Sequence, residues 1–154
     1  MTERTVSMVV NGEPRAGNVE PRTTLAEFVR EVCGLTGTHV ACEQGACGAC
    51  TVLLDGEAVR SCLLFAVQSE GCDVTTIEGL SPEGSLNELQ QAFVKHHALQ
   101  CGFCTPGFVI SATALLRDRP HPDDAEIVEA LSGNLCRCTG YQGIVNAVRE
   151  VAGR

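Results

Sequence analysis

Tryptophan is absent from the sequence, and the aromatic side chains that remain are one tyrosine and five phenylalanines. Large aromatic groups therefore cannot dominate a hydrophobic core, although 44% of the residues are hydrophobic. The 154 residues suffice for one ordinary domain or two small ones. Domains of fewer than about 80 residues have thin cores and usually need a metal or a disulfide as an additional restraint.

Basic residues are also scarce. Lys and Arg number 11 against 19 Asp and Glu, which gives a formal net charge of −8. This balance argues against nucleic acid as a partner, because phosphate binding needs a basic surface. It argues equally against an anionic membrane surface. An acidic surface remains compatible with docking to another protein.

Long hydrophobic runs are missing as well. No stretch approaches the roughly 20 apolar residues of a membrane-spanning helix. The N-terminal segment lacks the basic region and apolar stretch of a signal peptide. We therefore expect a cytoplasmic protein without a membrane span. Because thiols stay reduced in the cytoplasm, the ten cysteines favour metal binding over disulfides.

The pattern of residues changes at a stretch rich in Gly, Pro and Ser, residues 79–85. Before it, short alternating runs rich in Val, Thr and Gly predict a small α+β domain over residues 1–79. After it, apolar residues at helical spacing predict a small helical domain over residues 80–154.

A hairpin, a helix and two further strands are predicted in the first domain. The strand over residues 6–10 turns at Asn11-Gly12, a pair that suits a type I′ turn. Thr24 and Glu27 match a capping box. The apolar residues that follow at helical spacing are Leu25, Phe28, Val29 and Val32, and the further strands are predicted at 51–54 and 74–77.

Four helices are predicted in the second domain. The first covers about residues 86–97, and the second begins near Pro106, a residue suited to the first helical position. The third begins at Asp123 and ends before Gly133. The fourth is predicted to begin at Thr139, with Gln142 as its capping-box partner.

Cys42, Cys47 and Cys50 form a C-x4-C-x2-C pattern, and Cys62 follows after eleven residues. This is the spacing of plant-type ferredoxins, in which four thiolates hold a [2Fe–2S] cluster. Glycines between the cysteines let the backbone curl and bring N–H groups to the sulfurs. A structural zinc site is the alternative, but zinc favours paired C-x2-C knuckles.

The second set consists of Cys101-x2-Cys104 and Cys136-x1-Cys138, which are separated by 31 residues. Each pair precedes a predicted helix start, so two positive helix ends would face one anionic cluster. The spacing alone leaves zinc open, but beside the first set it favours a second [2Fe–2S] cluster.

Two cysteines lie outside these sets. Cys33 follows the apolar side of a predicted helix and is interpreted as a small buried residue. Cys72 is expected near a turn, and we assign neither a functional role.

Three segments carry a resemblance to a known family. They are residues 41–52 (ACEQGACGACTV), 99–107 (LQCGFCTPG) and 133–141 (GNLCRCTGY). Together they resemble the iron–sulfur subunit of the molybdenum hydroxylases, the family of xanthine dehydrogenase, aldehyde oxidoreductase and carbon monoxide dehydrogenase. The likeness extends over about residues 6–152.

This resemblance implies a plant-type ferredoxin-like (β-grasp) domain followed by a four-helix [2Fe–2S]-binding domain. It implies a large molybdopterin-binding subunit and a medium FAD-binding subunit as partners, in a dimer of heterotrimers. Electrons would pass singly from the molybdopterin centre through the two clusters to FAD. The chain itself would have no catalytic residue and no substrate site. By the same resemblance, Gln100 would hydrogen-bond the pterin, and Cys138 would link its cluster to the pterin amino group.

Two other functions remain alternatives. A free-standing two-cluster ferredoxin would serve several partners and copurify with none. A zinc-stapled interaction module would be colourless and redox-silent.

Overall fold

The computed structural model describes residues 3–153. The first half of the chain forms one five-stranded sheet in the order β2-β1-β5-β3-β4. Strands β1 and β5 run parallel, and the other neighbouring pairs are antiparallel. The strands are β1 (Arg4–Val10), β2 (Glu13–Val19), β3 (Thr51–Leu54), β4 (Glu57–Arg60) and β5 (Asp73–Thr75).

Both hairpins of the sheet turn at residue pairs that accept a positive φ. Asn11 and Gly12 have φ values of 54° and 80° between β1 and β2. Asp55 and Gly56 have values of 48° and 90° between β3 and β4. A type I′ turn needs a positive φ at both central residues, so the predicted turn at Asn11-Gly12 is confirmed, and Asp55-Gly56 forms a second turn with the same property.

The final strand is shorter than the predicted 74–77. It ends at Thr75, and Ile77 begins a 3-10 turn. The cause is the side chain of Asn11, whose Oδ1 accepts the N–H of Thr76 at 2.8 Å. Because that N–H is already paired, it cannot extend the sheet.

The helix of the first half begins as predicted and then widens. Helix α1 (Leu25–Glu27) has Thr24 as its N-cap in a complete capping box with Glu27. It continues as a π-helical segment, Phe28–Val32. Val32, predicted on the buried side, is the last residue of this segment and is 41% exposed.

The described part of the second half, residues 80–153, contains four helices, as predicted. They are α2 (Glu88–Lys95), α3 (Thr105–Asp118), α4 (Asp124–Leu131) and α5 (Gln142–Val151). Asp123 caps α4 in a capping box with Glu126. The predicted capping of the last helix by Thr139 is wrong, because its N-cap is Tyr141, two residues later. Its first helical residue is Gln142, which follows Tyr141 in a left-handed conformation with φ 68°.

Each half has its own apolar core, and a third, smaller cluster joins them. Leu53 on β3 packs there against Ile110 and Ala114 on α3. The β3–β4 hairpin therefore lies against the helix that begins beside the second cysteine set. Among residues 3–153, no helix combines the length and apolar character needed to cross a membrane.

Candidate metal centres

The β3–β4 hairpin brings together the ends of the first four-cysteine set. Cys50 immediately precedes β3, and Cys62 follows β4. Thr51 and Arg60 are partners in the strand register, so the two cysteines flank the same end of the hairpin. Ser61 fastens this end, because its hydroxyl donates to the Cys50 carbonyl oxygen at 2.6 Å.

The loop before β3 directs backbone N–H groups at one sulfur. The amides of Gln44 and Cys47 each donate to Sγ of Cys42 at 3.4 Å. Glu43 and Gly45 adopt φ values of 52° and 75°, which let the loop curl around the sulfur. These hydrogen bonds, led by that of Gln44, lower the pKa of Cys42 to about 6. The loop thus stabilises a thiolate, the form that binds metal.

The other end of the set is buried. Cys50 and Cys62 are 2% and 9% exposed. Burial, followed by the hydrogen bond with Cys50, raises the pKa of Cys62 to about 11. A buried thiolate needs a nearby positive charge, and an iron ion coordinated by the sulfur would supply it.

The second set closes from two separate segments. Cys104 is the N-cap of α3, with Pro106 in the first turn as predicted. Cys136 and Cys138 lie in the loop between α4 and α5. Sγ of Cys138 lies 3.6 Å from Sγ of Cys101. The side chain of Cys104 interacts with that of Cys136, which contributes to the raised pKa of Cys104.

Only one of the two expected helix ends directly adjoins this set. Helix α5 begins four residues after Cys138, because Thr139 does not cap it. The hydroxyl of Thr139 instead donates to Sγ of Cys136 at 3.1 Å, and its amide approaches the same sulfur at 3.5 Å. The Tyr141 hydroxyl accepts the N–H of Cys136 at 3.0 Å. The polar groups of this loop therefore hold Cys136 in place.

The thiols of the second set differ in acidity. Burial, then the contact with Cys136, raises the pKa of Cys104 to about 12. Burial acts to raise the pKa of Cys136 as well, but hydrogen bonds from Thr139 and other donors outweigh it and lower that pKa. The contact with Cys101 raises the pKa of Cys138. Each set thus combines a sulfur whose pKa is lowered by hydrogen bonds with one whose pKa is raised by burial.

The donor set fits a two-iron cluster. All ten cysteines are free thiols. Two sulfurs on one tetrahedral metal at 2.3 Å stand about 3.8 Å apart, close to the 3.6 Å between Cys101 and Cys138. Paired thiols suit a [2Fe–2S] cluster, in which each iron takes two of them.

The two cysteine loops touch each other. The N–H of Leu135 donates to the carbonyl oxygen of Cys47 at 2.9 Å. Beside it, Nδ2 of Asn134 donates to the carbonyl oxygen of Gly48 at 3.0 Å. Ser111 on α3 donates to Oδ1 of Asn134 at 2.9 Å. Asn134 is 2% exposed, so a buried amide that is hydrogen-bonded through both its nitrogen and its oxygen fixes the contact between the loops.

Glycines permit this close approach. A Cβ atom on Gly107 would collide with the carbonyl oxygen of Gly48. A Cβ atom on Gly48 would lie 2.5 Å from the carbonyl oxygen of Gly133. A side chain at either position would force the loops apart.

Gln100 and Cys138 lie together at the surface. Nε2 of Gln100 donates to the carbonyl oxygen of Cys138 at 3.0 Å. This bond ties the first segment of the second set to the last. The exposed apolar side chains nearest to these residues in sequence are Leu99, Phe103, Leu135 and Tyr141.

Sequence reasoning missed the residues that join the two sets. Asn134 lies in a recognised motif, but nothing local distinguishes a buried bridging amide from an exposed loop asparagine. Arg60 lies two residues before Cys62 and reaches both loops through contacts that only the folded chain creates. No signal in the sequence identifies either residue.

Comparisons with known proteins agree with this geometry. A model described as "2Fe-2S iron-sulfur cluster binding domain" matches residues 8–76. A second, described as "[2Fe-2S] binding domain", matches residues 76–149. The small subunit of nicotine 6-hydroxylase from Paenarthrobacter nicotinovorans is 55% identical over 149 residues, which span 97% of this chain and 90% of that protein.

Two solved structures share the fold. Quinoline 2-oxidoreductase from Pseudomonas putida 86 matches with a TM-score of 0.96 and 52% identity, over 99% of this chain and 96% of the matched chain. The aldehyde oxidoreductase of Desulfovibrio desulfuricans ATCC 27774 matches with a TM-score of 0.93 and 42% identity. That match covers 97% of this chain but only 17% of the other. The same fold thus occurs as a separate chain and as part of a much longer one.

Proposed function

The chain belongs to the family of small iron–sulfur subunits of molybdenum hydroxylases, and we propose on this basis which cysteines hold its two [2Fe–2S] clusters. It is a non-catalytic, electron-transferring subunit of an oxidoreductase. The observation that carries the ligand assignment is the meeting of cysteines from separate segments in each set. Sγ of Cys101 lies 3.6 Å from Sγ of Cys138, and Cys50 and Cys62 flank the same end of the β3–β4 hairpin. The proposed ligands are Cys42, Cys47, Cys50 and Cys62 for the first cluster, and Cys101, Cys104, Cys136 and Cys138 for the second.

The residues of this chain provide a short link between the two sets. A bound [2Fe–2S] cluster takes up and releases one electron at a time. The carbonyl oxygen of Cys47 accepts the N–H of Leu135, and Leu135 precedes Cys136 in the chain. One hydrogen bond therefore joins the backbone of a ligand in one set to the residue beside a ligand in the other. The buried amide of Asn134 holds that link in register.

We further propose the partners that the second set requires. In the aldehyde oxidoreductase, the part outside the match is more than four-fifths of the chain, because the match covers 17%. A separate large subunit takes that place here, with molybdopterin beside Gln100 and Cys138. A medium subunit carries FAD and receives the electrons. Support comes from the exposed apolar side chains beside the second set, since such groups mark surfaces that a partner covers.

The remaining assignments complete this proposal. The complex is a dimer of heterotrimers in the cytoplasm, and its substrate binds in the large subunit. We propose a boundary near residue 79 between the domains over 1–79 and 80–154, because each half has its own apolar core. The first domain is the ferredoxin-like one, and the second is the four-helix domain.

Metal and sulfide analysis tests the cluster assignment. We expect the complex isolated from native cells to be reddish-brown and to contain about four irons and four acid-labile sulfides per copy of this chain. Dithionite reduction should produce two distinct EPR signals. The chain should copurify with subunits that carry molybdenum and FAD.

The alternatives give different results in the same experiment. Two zinc ions without labile sulfide would establish a zinc-stapled module. Both clusters in a chain that copurifies with no molybdenum or flavin would establish a free ferredoxin. Either result would reject the proposed function.

A further inference from the structure

The guanidinium group of Arg60 lies between the two cysteine loops. Arg60 ends β4, opposite Thr51 in the strand register. Its Nη1 donates to Oγ1 of Thr51 at 2.7 Å, and its Nη2 donates to the carbonyl oxygen of Gly133 at 2.6 Å. Thr51 directly follows the ligand Cys50, and Gly133 lies three residues before the ligand Cys136. One side chain therefore touches both loops.

This cation is only partly compensated by the chain. In the described part of the sequence, no carboxylate lies within ion-pair distance of Arg60, in contrast to Arg117 and Arg149. Its Nε is buried, with no hydrogen-bond partner among residues 3–153. Its two bonded acceptors are neutral oxygens. Moving the guanidinium charge out of water without an opposite charge costs free energy, so a negative charge nearby would stabilise Arg60 in this position.

The cysteine loops would supply that charge when loaded. A [2Fe–2S] cluster on four thiolates has a formal charge of about −2 when oxidised and −3 when reduced. Two such anions in touching loops repel each other, and a cation between them offsets the repulsion. Arginine suits the position because its fork binds two acceptors at once and keeps its charge.

We propose that Arg60 is a positioning residue that fixes a positive charge between the two clusters and raises the reduction potential of both. The inference rests on the proposed function, since it needs clusters on both cysteine sets. The added electron makes a cluster more negative, so a nearby cation stabilises the reduced form more than the oxidised one. At an effective dielectric constant of about 20, two unit charges roughly 12 Å apart interact by enough to change an equilibrium constant about tenfold.

Redox titration of the intact complex, followed by EPR, tests this role. We expect Arg60→Gln to lower the one-electron reduction equilibrium constant of each cluster about tenfold, which corresponds to a fall of about 59 mV in each midpoint potential. Glutamine removes the charge and can still hydrogen-bond one of the two acceptors, so the comparison with a charged variant separates the charge from the lost hydrogen bond. Arg60→Lys, which keeps the charge, should restore most of the potential.

Arg117 provides the matched control. It also joins the two halves, because its Nη1 donates to the carbonyl oxygen of Gly56 at 2.6 Å. It is already paired with Asp118 and contacts neither cysteine loop. Arg117→Gln should leave both potentials unchanged. If Arg60→Gln leaves them unchanged as well, or if Arg60→Lys lowers them equally, the proposal is overturned.

A second variant covers the case in which Arg60→Gln fails to assemble clusters. Ala58 is exposed and lies two residues before Arg60, on the same face of β4. Ala58→Glu places a carboxylate beside the guanidinium without removing its contacts, and both potentials should fall relative to Ala58→Gln. Equal potentials in these two variants would refute the role of Arg60. A wild-type complex without either EPR signal would instead refute the proposed function itself.

Discussion

Replacement of Cys47 by serine should abolish the EPR signal of the first cluster and leave that of the second in place. A hydroxyl is a poor substitute for a thiolate on iron in a cluster. The main-chain bonds of the residue are kept, including the N–H to Sγ of Cys42 and the carbonyl contact with Leu135. The second half, which has its own core, should therefore still assemble its cluster.

The functional loss should be large. Changing groups that only support a metal ligand typically costs 10- to 100-fold in metal affinity or activity, and loss of a ligand should cost no less. We expect reduction of the flavin by substrate to slow about 100-fold or more in stopped-flow measurements. Reduction of the second cluster by the molybdenum subunit should continue.

Cys72 supplies the control for this experiment. It is a free thiol outside both sets, so Cys72→Ser should preserve both signals and the rate of flavin reduction. Retention of the first signal in Cys47→Ser would contradict the ligand assignment. Disappearance of both signals would show that the two cysteine sets do not assemble independently.

Features with a local cause could be predicted from the sequence. The turn at Asn11-Gly12 and the capping boxes at Thr24 and Asp123 depend on residues within a few positions of each other. The cysteine spacings are also local signals, because a short loop can place its thiols around one metal centre only at certain spacings. The α+β fold class and the [2Fe–2S] domains followed from these signals and are confirmed.

Two of the errors arose where one polar group can form either of two hydrogen bonds. Thr139 and Gln142 match a capping box, but the Thr139 hydroxyl donates to Sγ of Cys136, and the N-cap of the helix is Tyr141, two residues later. Asn11 suited its turn, yet its side chain also ends the last strand by pairing with Thr76. Local pattern matching cannot rank such competing hydrogen bonds, because the competitor is supplied by the fold or by the site.

Contacts between distant segments lay beyond prediction for a related reason. Asn134 and Gly48 are 86 positions apart, and Arg60 and Gly133 are 73 apart. Their meeting requires that β3 pack against α3, which no spacing in the sequence encodes. The residues that hold the two cysteine sets together are therefore visible only in the folded chain.

Because the two cysteine loops are in close contact, we expect replacement of Gly48 by alanine to be strongly destabilising. Its φ is +73°, and a Cβ atom there would lie 2.5 Å from the carbonyl oxygen of Gly133 and 2.6 Å from Nδ2 of Asn134. The left-handed conformation costs a non-glycine residue about 1–2 kcal/mol. Overpacking against the fixed atoms adds about 1–3 kcal/mol. Gly48→Ala should therefore loosen the junction between the two cysteine sets.

Gly71 separates the two contributions to this cost. Its φ is +78°, but a Cβ atom there would meet nothing within 4 Å, so Gly71→Ala carries the conformational cost alone. The overpacking cost of about 1–3 kcal/mol, which only Gly48→Ala carries, corresponds to about a 5- to 150-fold change in the equilibrium for separation of the two cysteine loops. When bleaching of the visible absorption in mild denaturant is limited by that separation, Gly48→Ala should bleach faster than Gly71→Ala by this factor. Equal bleaching rates would mean that the loops separate without affecting the clusters. Gly48 would then be needed only for its positive φ and not for the contact between the loops.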